Sequence, residues 1–383
     1  MPWNEATVMS ERVKMAAKWA SGLYSPSELA REFGVSRPTV YELIKRVQVD
    51  PEAGLSYRPP IAKSCPHRTS EEVIEQIVAA KQQHRLWGPA KLIDLLKLER
   101  PEVEWPAPST AGRILDKRGL VDKRKPRRNG LLRRYVRSPE AQESGSMMTA
   151  DHKGQIRMEN DKYCYPVTVC DPVSKFIYGI EGKTSTSHSE AKSTFERIFN
   201  EYGLPEYILS DNGSPFSCSR ALGALSQLAV WWIKLGITPL TIHKGCPWEN
   251  GSHERMHKTL KAEVRQKGAH SMRRLQKVFD RFRLEYNAVR PHESLSGRRP
   301  ADLIQHCKRS YSRRLKPVEY PLNYEVRSVR SKGEIKWGPH RPFIGQSLIG
   351  ERVGLLEIDE GIWSIYFSTI ELGRYDERTK KIS

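Results

Sequence analysis

The spacing of apolar residues changes at residue 147, and this change constrains the fold more than any other feature of the sequence. Before it, apolar residues recur at intervals of three and four, which is the spacing of amphipathic helices. After it, short apolar runs bounded by turn residues predict strands over 147–151, 163–170, 176–180 and 207–210, with a helix over 189–202. Strands that alternate with helices favour an α/β sheet in the middle of the chain.

Residues 25–44 predict two short helices around a tight turn. Gly34 supplies the positive φ that the turn needs, and Ser36 can cap the second helix. This is the helix-turn-helix pattern, whose second helix enters the major groove of DNA. We therefore expect a DNA-binding domain over 1–50, although a plain helical hairpin is the alternative. The side chains expected to face DNA are Arg37, Thr39, Tyr41 and Lys45.

Residues 68–122 predict a second helix-turn-helix domain of winged-helix-like type. Ser70 can cap its first helix, Pro89 starts the second, and the third begins near Pro108. Two such domains in tandem would recognise a longer DNA site than one.

The charge of the chain indicates a polyanionic partner. There are 64 Lys and Arg against 45 Asp and Glu, a net charge of +19, and such an excess is typical of nucleic-acid-binding proteins. The excess of basic residues is clustered. Residues 220–305 hold 16 basic and 7 acidic residues, whereas residues 1–122 hold 18 basic and 16 acidic residues. Residues 146–219 are acidic, with 7 basic and 10 acidic residues.

Two basic, turn-rich segments are expected to be linkers, over 123–145 and 306–316. They can be solvated connectors, or they can lie along DNA phosphates between bound domains. The candidate phosphate contacts in the first linker are Lys123, Arg124, Lys125, Arg127 and Arg128.

Three carboxylates are candidates for a metal site. Asp151 and Asp211 each follow a predicted strand, and carboxylates at the ends of neighbouring strands can converge on one divalent cation. Each aspartate alone could equally be a turn residue. A third carboxylate, Glu254, shares one face of a predicted helix with Lys258 and Lys261, at a spacing of four and three residues. That face would present one metal ligand and two groups that bind phosphate.

The same helix contains a competing motif. His253-Glu254-Arg255-Met256-His257 fits the H-E-x-x-H pattern of zinc metalloproteases, with Glu263 or Glu285 as a possible third ligand. This interpretation leaves Asp151, Asp211 and the basic surroundings unexplained. Surface packing or phosphate contact is the alternative role for the two histidines.

Three segments of the chain form a recurring set of motifs: Asp211-Asn212-Gly213, the segment from Asn250-Gly251 through Glu254-Arg255 to Lys261, and Tyr286-Asn287-x-x-Arg290-Pro291-His292. With these motifs the chain resembles, over nearly its whole length, the retroviral-integrase-like DDE transposases of bacterial insertion sequences. The resemblance implies an RNase H-like catalytic core over 146–305, in which Asp151, Asp211 and Glu254 bind two Mg²⁺ ions, with Mn²⁺ as a substitute. Asp171 and Glu249 are the alternative acids.

The resemblance also implies an activity. It is cleavage of DNA at the element ends followed by strand transfer into target DNA, with Arg255, Lys258, Lys261 and Arg265 holding the backbone. Double-stranded DNA and further copies of the chain are the implied partners. A catalytically silent DNA-binding regulator derived from a transposase is the alternative.

Residues 317–383 contain alternating patterns that predict a small β-barrel, with a DNA-binding or an assembly role. The expected fold class is therefore multidomain, with α-helical helix-turn-helix units, an α/β RNase H-like core and a C-terminal β-barrel. The mean hydropathy of −0.62 and the six scattered cysteines favour a cytoplasmic, nucleoid-associated protein without a membrane partner.

Overall fold

The computed structural model describes residues 7–51, 53–56, 69–121, 143–152, 154–159, 161–218, 221–243, 251–268, 271–315 and 317–383. The chain divides into two compact units, over 1–69 and 70–383. In the described residues, no helix is long and apolar enough to cross a membrane.

The first unit contains α1 (Val8–Ala20), α2 (Pro26–Glu32) and α3 (Arg37–Val49). The predicted pair α2 and α3 is confirmed. Gly34 has φ +65° in the turn, and Ser36 caps α3 by accepting a hydrogen bond from the Thr39 N–H. The sequence analysis missed α1, whose buried Met15 packs in a small core with Leu29 and Val40.

The second unit begins with α4 (Glu71–Gln83), α5 (Pro89–Glu99) and α6 (Pro108–Lys117). Ser70 caps α4, as the sequence predicts. The core of these helices is centred on Trp87 and Leu92, which are 4% and 0% exposed. The described residues 69–121 contain no strand, and residues 68 and 122 of the predicted domain lie outside the described residues.

The centre of the second unit is a mixed five-stranded sheet. In chain order, its strands are β1 (Met147–His152), β4 (Val167–Cys170), β5 (Ile177–Glu181), β6 (Tyr207–Ser210) and β7 (Thr238–Thr241), and β2 (Ile156–Arg157) with β3 (Tyr163–Cys164) forms a hairpin beside it. The spatial order is β5-β4-β1-β6-β7. β4 and β5 are antiparallel to their neighbours, whereas β6 runs parallel to both β1 and β7. The predicted strand over 163–170 is split because Pro166 has no N–H to donate to a ladder.

Helices cover both faces of this sheet. They are α7 (His188–Tyr202) and α8 (Gln227–Lys234) on one face, and α9 (Gly251–Lys267) and α10 (Met272–Ala288) on the other. Side chains alternate along a strand, so Met148 and Ala150 of β1 pack towards α7 and α8. Thr149, which lies between them, contacts His253 of α9.

The C-terminal part is an antiparallel sheet with the order β12-β11-β10-β9-β8. Its strands are β8 (Glu325–Ser328), β9 (Arg352–Asp359), β10 (Ile362–Phe367), β11 (Ile370–Asp376) and β12 (Lys381–Ile382). Among the described residues β8 and β12 remain the two edges of the sheet. The expected closed barrel is therefore not confirmed.

Helix α8 joins this C-terminal sheet to the central sheet. Six of its eight residues are buried, as expected for a helix that is apolar on all sides. Leu228 and Trp232 pack into the core of the central sheet, whereas Val230 and Ile233 pack into the core of the C-terminal sheet.

The segment over 306–315, expected to be part of a linker, packs against the central sheet. Leu204 and Arg309 form an isolated antiparallel bridge. The Arg309 guanidinium donates hydrogen bonds to the carbonyls of Leu235 and Pro205, at 3.0 and 2.5 Å. The Arg309 side chain therefore stabilises two loops of the central core, one after α8 and one before β6.

Candidate active site

Asp151 and Asp211 lie near the carboxyl ends of two adjacent parallel strands. In the pairing of β1 with β6, Ala150 lies opposite Ser210. Asp151 and Asp211 are the next residues along the two strands. Because adjacent strands are about 4.8 Å apart, both carboxylates lie at the same edge of the sheet. In the sequence, the ends of the two apolar runs predict that each of these strands leads into an aspartate.

The turn after β6 holds Asp211 in place. The Gly213 N–H donates to Oδ1 of Asp211 at 3.2 Å, and Asn212 Nδ2 donates to the Ile242 carbonyl at 2.8 Å. A Cβ at position 213 would lie 3.0 Å from Oδ2 of Asp211, so glycine leaves room for the carboxylate. Burial raises the pKa of Asp211 above its ordinary value, an effect that the Gly213 hydrogen bond opposes.

Helix α9 presents two different faces at this edge. His253 and His257 are buried against the sheet, whereas Glu254 is exposed. Nδ1 of His257 lies 3.6 Å from Oδ2 of Asp151, which brings α9 to the end of β1. Residues three apart are neighbours on a helix surface. Glu254 therefore lies one helical turn from the side chain that contacts Asp151.

The two histidines are bound to threonine hydroxyls of the sheet. Oγ1 of Thr168 lies 2.6 Å from Nε2 of His253 and 2.8 Å from Nε2 of His257. Oγ1 of Thr149 lies 3.1 Å from Nδ1 of His253. Burial lowers the pKa of His253 to about 3, so this ring is neutral near pH 7.

This arrangement contradicts the zinc-protease interpretation. Both ring nitrogens of His253 contact hydroxyls, so neither is available to a zinc ion. The candidate third ligands are also engaged, since Glu263 pairs with Lys267 and Glu285 with His84. In the part of the chain that the structure describes, no three His, Cys, Asp or Glu side chains are grouped as a complete metal site. His253 and His257 are 2% and 7% exposed, so the two rings pack between α9 and the sheet and present no exposed face to a phosphate.

The alternative acid Asp171 has a structural role. It is 1% exposed, and Oδ2 accepts hydrogen bonds from the Gly145 N–H at 2.7 Å and the Tyr178 hydroxyl at 3.1 Å. Oδ1 accepts from the N–H groups of Val173 and Ser174, at 2.8 and 2.7 Å. A carboxylate with this many donors has little capacity left for a metal ion. The other alternative, Glu249, lies outside the described residues.

Three family models match separate parts of the chain. The integrase core domain matches residues 235–300, which include α9. The C-terminal domain of IS481-family transposases matches residues 324–383, and a homeodomain-like helix-turn-helix model matches residues 39–115. The models that match residues 235–300 and 324–383 thus describe domains of integrases and transposases.

Proteins that are similar to parts of this chain include viral and animal proteins. The Pol polyprotein of feline endogenous virus ECE1 is 31% identical over 100 residues, which are 26% of this chain and 9% of that protein. The protein K02A2.6 of Caenorhabditis elegans is 32% identical over 142 residues, which are 36% of this chain and 10% of that protein. This chain thus spans a tenth or less of the length of these relatives.

Similar solved structures include retroviral integrases. The HTLV-2 integrase catalytic core domain in complex with magnesium is 14% identical, with a TM-score of 0.35 over 43% of this chain and 100% of that one. The simian T-cell lymphotropic virus intasome in complex with PP2A regulatory subunit B56 gamma is 15% identical, with a TM-score of 0.38 over 79% and 98%.

The predicted DNA-binding side chains of this chain are exposed wherever they are described. On α9 these are Arg255, Lys258, Lys261 and Arg265. On α3 of the first unit they are Arg37, Thr39, Tyr41 and Lys45. The five candidate phosphate contacts of the 123–145 segment, at 123, 124, 125, 127 and 128, lie outside the described residues.

The motif over 286–292 has contacts that sequence reasoning missed. Asn287 is 5% exposed and pairs with the backbone of Ile177 at the edge of the sheet. The guanidinium of Arg290 lies 5.7 Å from the ring centre of Trp87 and 5.5 Å from that of Tyr286. The motif therefore connects α10 both to the sheet and to the α4–α6 helices. In the sequence, an asparagine beside aromatic and basic residues is the signal for this role.

Proposed function

We propose that this chain is a DNA transposase that cleaves its element ends and joins them to target DNA by metal-dependent in-line phosphoryl transfer. The observation that supports the proposal is the register of β1 and β6, in which Ala150 lies opposite Ser210, the residues that directly precede Asp151 and Asp211. The contact between His257 and Asp151 brings the Glu254 helix to the same point.

The donor set fits a hard divalent cation. Mg²⁺ is commonly bound by one or two carboxylates and keeps several waters, and Asp151 with Asp211 supplies that number. Glu254 is exposed on the adjacent helix turn, so its side chain can complete the set. Two bound ions, Mg²⁺ or Mn²⁺, would supply activation of the attacking hydroxyl and charge stabilisation at the leaving oxygen.

The other residues of α9 would position the DNA. Lys258 and Lys261 are exposed one and two turns after Glu254. An ammonium group so placed would bind backbone phosphates and hold the scissile bond beside the carboxylates. Positioning is a large part of catalysis in phosphoryl transfer, because the protein forms no covalent intermediate.

The helix-turn-helix units would recognise the element ends. In α3 the exposed Arg37, Tyr41 and Lys45 suit base and phosphate contacts in a major groove. Two element ends have to be brought together, so we propose that a homo-oligomer acts on double-stranded DNA. The C-terminal sheet would contribute to that assembly.

A catalytically silent regulator is the other candidate. It would use the helix-turn-helix units and would need no carboxylates at the ends of β1 and β6. DNA flanking the coding sequence, supplied as labelled fragments with a target plasmid and Mg²⁺ or Mn²⁺, distinguishes the two. We expect end cleavage and joined products that disappear with EDTA. Specific binding of these fragments without any cleavage or joining would favour the regulator.

A further inference from the structure

Helix α10 carries an exposed basic surface that the proposed mechanism does not use. The buried side of the helix, which includes Leu275, Phe279 and Phe282, packs with α9 and the central sheet. The opposite side is exposed to solvent. Its basic residues, called here the α10 basic face, are Arg273, Arg274, Lys277 and Arg281.

The charges of the α10 basic face act against the stability of their own helix. Lys277 lies four residues from both Arg273 and Arg281, and like charges at that spacing on a helix repel each other. Arg273 and Arg274 also lie in the first turn of α10, which contains no acid. The helix dipole disfavours positive charge at that end. An anion bound to this face would relieve both effects.

Acidic side chains of the chain do not neutralise the α10 basic face. In the described part of the chain, none of its four members forms an ion pair. Asp280 is an acid on the exposed side of α10, and it accepts a hydrogen bond from Nε2 of Gln276 at 2.9 Å. On α7, by contrast, Arg197 pairs with both Glu181 and Glu201. The α10 basic face therefore remains positively charged and fits a polyanion.

The α10 basic face begins at the level of the candidate metal site. Nε2 of Gln276 donates to the Ile180 carbonyl, and its Oε1 accepts from the Gly182 N–H, both at 2.9 Å. These bonds hold the first turns of α10 against β5. Ile180 lies opposite Thr168, which in turn lies opposite Asp151. Two strand spacings separate Ile180 from Asp151, a distance of about 10 Å.

The packing of α10 allows contacts with DNA phosphates but not with base edges. α10 lies beside α9, and Phe279 and Leu260 share one core. One helix with its side chains is about 10–12 Å across, and the major groove is about 12 Å wide. Two helices side by side are therefore too wide to enter the groove. Phosphate contacts carry no sequence information, so this face suits DNA without a fixed sequence.

We propose that the α10 basic face binds the phosphate backbone of target DNA. The inference rests on the proposed function, in which the helix-turn-helix units recognise the element ends by sequence. Target DNA has to be held beside the carboxylates whatever its sequence. A distance of about 10 Å corresponds to about three phosphates along one strand. A target duplex bound by α10 thus passes close to Asp151.

The test is DNA binding by the full-length protein with an unlabelled element end already bound. The measured quantity is the affinity for a labelled duplex of unrelated sequence at several salt concentrations. The double variant Arg274→Gln, Lys277→Gln is expected to lower the slope of log K against log salt by about 1.8, at about 0.9 for each lost phosphate contact. Its affinity for a labelled element end should equal that of the wild type. Lys192→Gln, on the opposite face of the sheet, is the control and should behave as the wild type in both measurements.

A second variant is expected to change the affinity in the opposite direction. Asp280→Asn removes an acid from the exposed side of α10, so it should bind the unrelated duplex more tightly than the wild type. A variant that folds poorly would not gain affinity, so this result separates the charge of the face from its effect on folding.

The outcomes that contradict the proposal are distinct. Wild-type slopes in the double variant, unchanged affinity in Asp280→Asn, or no binding of the unrelated duplex by the wild type would each reject the α10 basic face as a target surface. An equal loss of affinity for the element end and the unrelated duplex would assign the face to element-end DNA and overturn the proposal. Protein that binds the unrelated duplex through this face but neither cleaves nor joins DNA would overturn the proposed function, while the DNA-binding role of α10 would stand.

Discussion

The side-chain amide of Asn287 pairs with the backbone of Ile177 in the manner of a neighbouring strand. Its Oδ1 accepts from the Ile177 N–H and its Nδ2 donates to the Ile177 carbonyl, both at 2.9 Å. Ile177 starts β5, which is an edge strand. The asparagine of α10 thereby satisfies backbone groups that an edge strand leaves open.

Asn287→Ala is expected to destabilise the protein by about 1–3 kcal/mol, because it leaves buried backbone groups without partners. Urea unfolding of the full chain measures this loss. Asn200→Ala is the matched control, since Asn200 is exposed on α7 and bonds only within its helix. Equal stability of the two variants would show that the Asn287 pairing is energetically unimportant.

Replacement by asparagine is expected to lower the stability of the folded protein at Asp171 but not at Asp211. Asp171→Asn should cost about 1–3 kcal/mol of stability, since it weakens several buried hydrogen bonds to a charged acceptor. Asp211→Asn should leave stability unchanged or slightly raised, because burial disfavours its charged form and raises its pKa. Thermal unfolding compares the two. A larger loss for Asp211→Asn would indicate that its carboxylate is a structural group.

The double variant Lys258→Gln, Lys261→Gln is expected to bind DNA more weakly than the wild type. Its affinity for DNA should also depend less steeply on the salt concentration. Each lost phosphate contact should lower the slope of log K against log salt by about 0.9. Fluorescence anisotropy at several salt concentrations measures the slope. Lys192→Gln is the control, because Lys192 lies on α7, on the opposite face of the sheet, and contacts Trp231. Identical slopes for the double variant and the control would show that Lys258 and Lys261 of α9 do not contact DNA phosphates.

Glu285 is expected to contribute to stability in a pH-dependent way. Its hydrogen bond with His84, at 3.0 Å, lowers the pKa of Glu285 below the ordinary value of 4.5. A lowered pKa in the folded state adds stability above about pH 4.5 that is lost as the pH falls through the folded pKa. Glu285→Gln should therefore reduce stability by no more than about 1 kcal/mol at pH 7, and the difference should shrink towards pH 3. A constant difference across this range would assign the effect to packing.

The sequence predicted those parts of the fold that depend on local patterns. The apolar runs before Asp151 and Asp211 predicted β1 and β6, and the cap at Ser36 predicted the start of α3. The two short runs also predicted that each strand leads into an aspartate, but not that the two strands are adjacent and parallel. Helix α1 has no comparable signal, since it buries only Met15.

Long-range packing could not be predicted in this way. The apolar residues of α8 have no single face, because the helix lies between two cores and contacts both. Arg309 was counted as linker charge, but its guanidinium bonds to two backbone carbonyls that are distant in sequence. The roles of His253 and His257 depend on Thr149 and Thr168 of two different strands, so the H-E-x-x-H spacing alone suggested the wrong chemistry.

The most direct test of the proposed active site is strand transfer of a pre-cleaved element end into plasmid DNA. Asp151→Asn, Asp211→Asn and Glu254→Gln are each expected to reduce joining by at least about a hundredfold while binding the end DNA as the wild type does. Joining at the wild-type rate by any one of them would contradict the assignment of that residue. If Glu254→Gln were fully active and Glu249→Gln inactive, the third metal-binding carboxylate would be Glu249 and not Glu254.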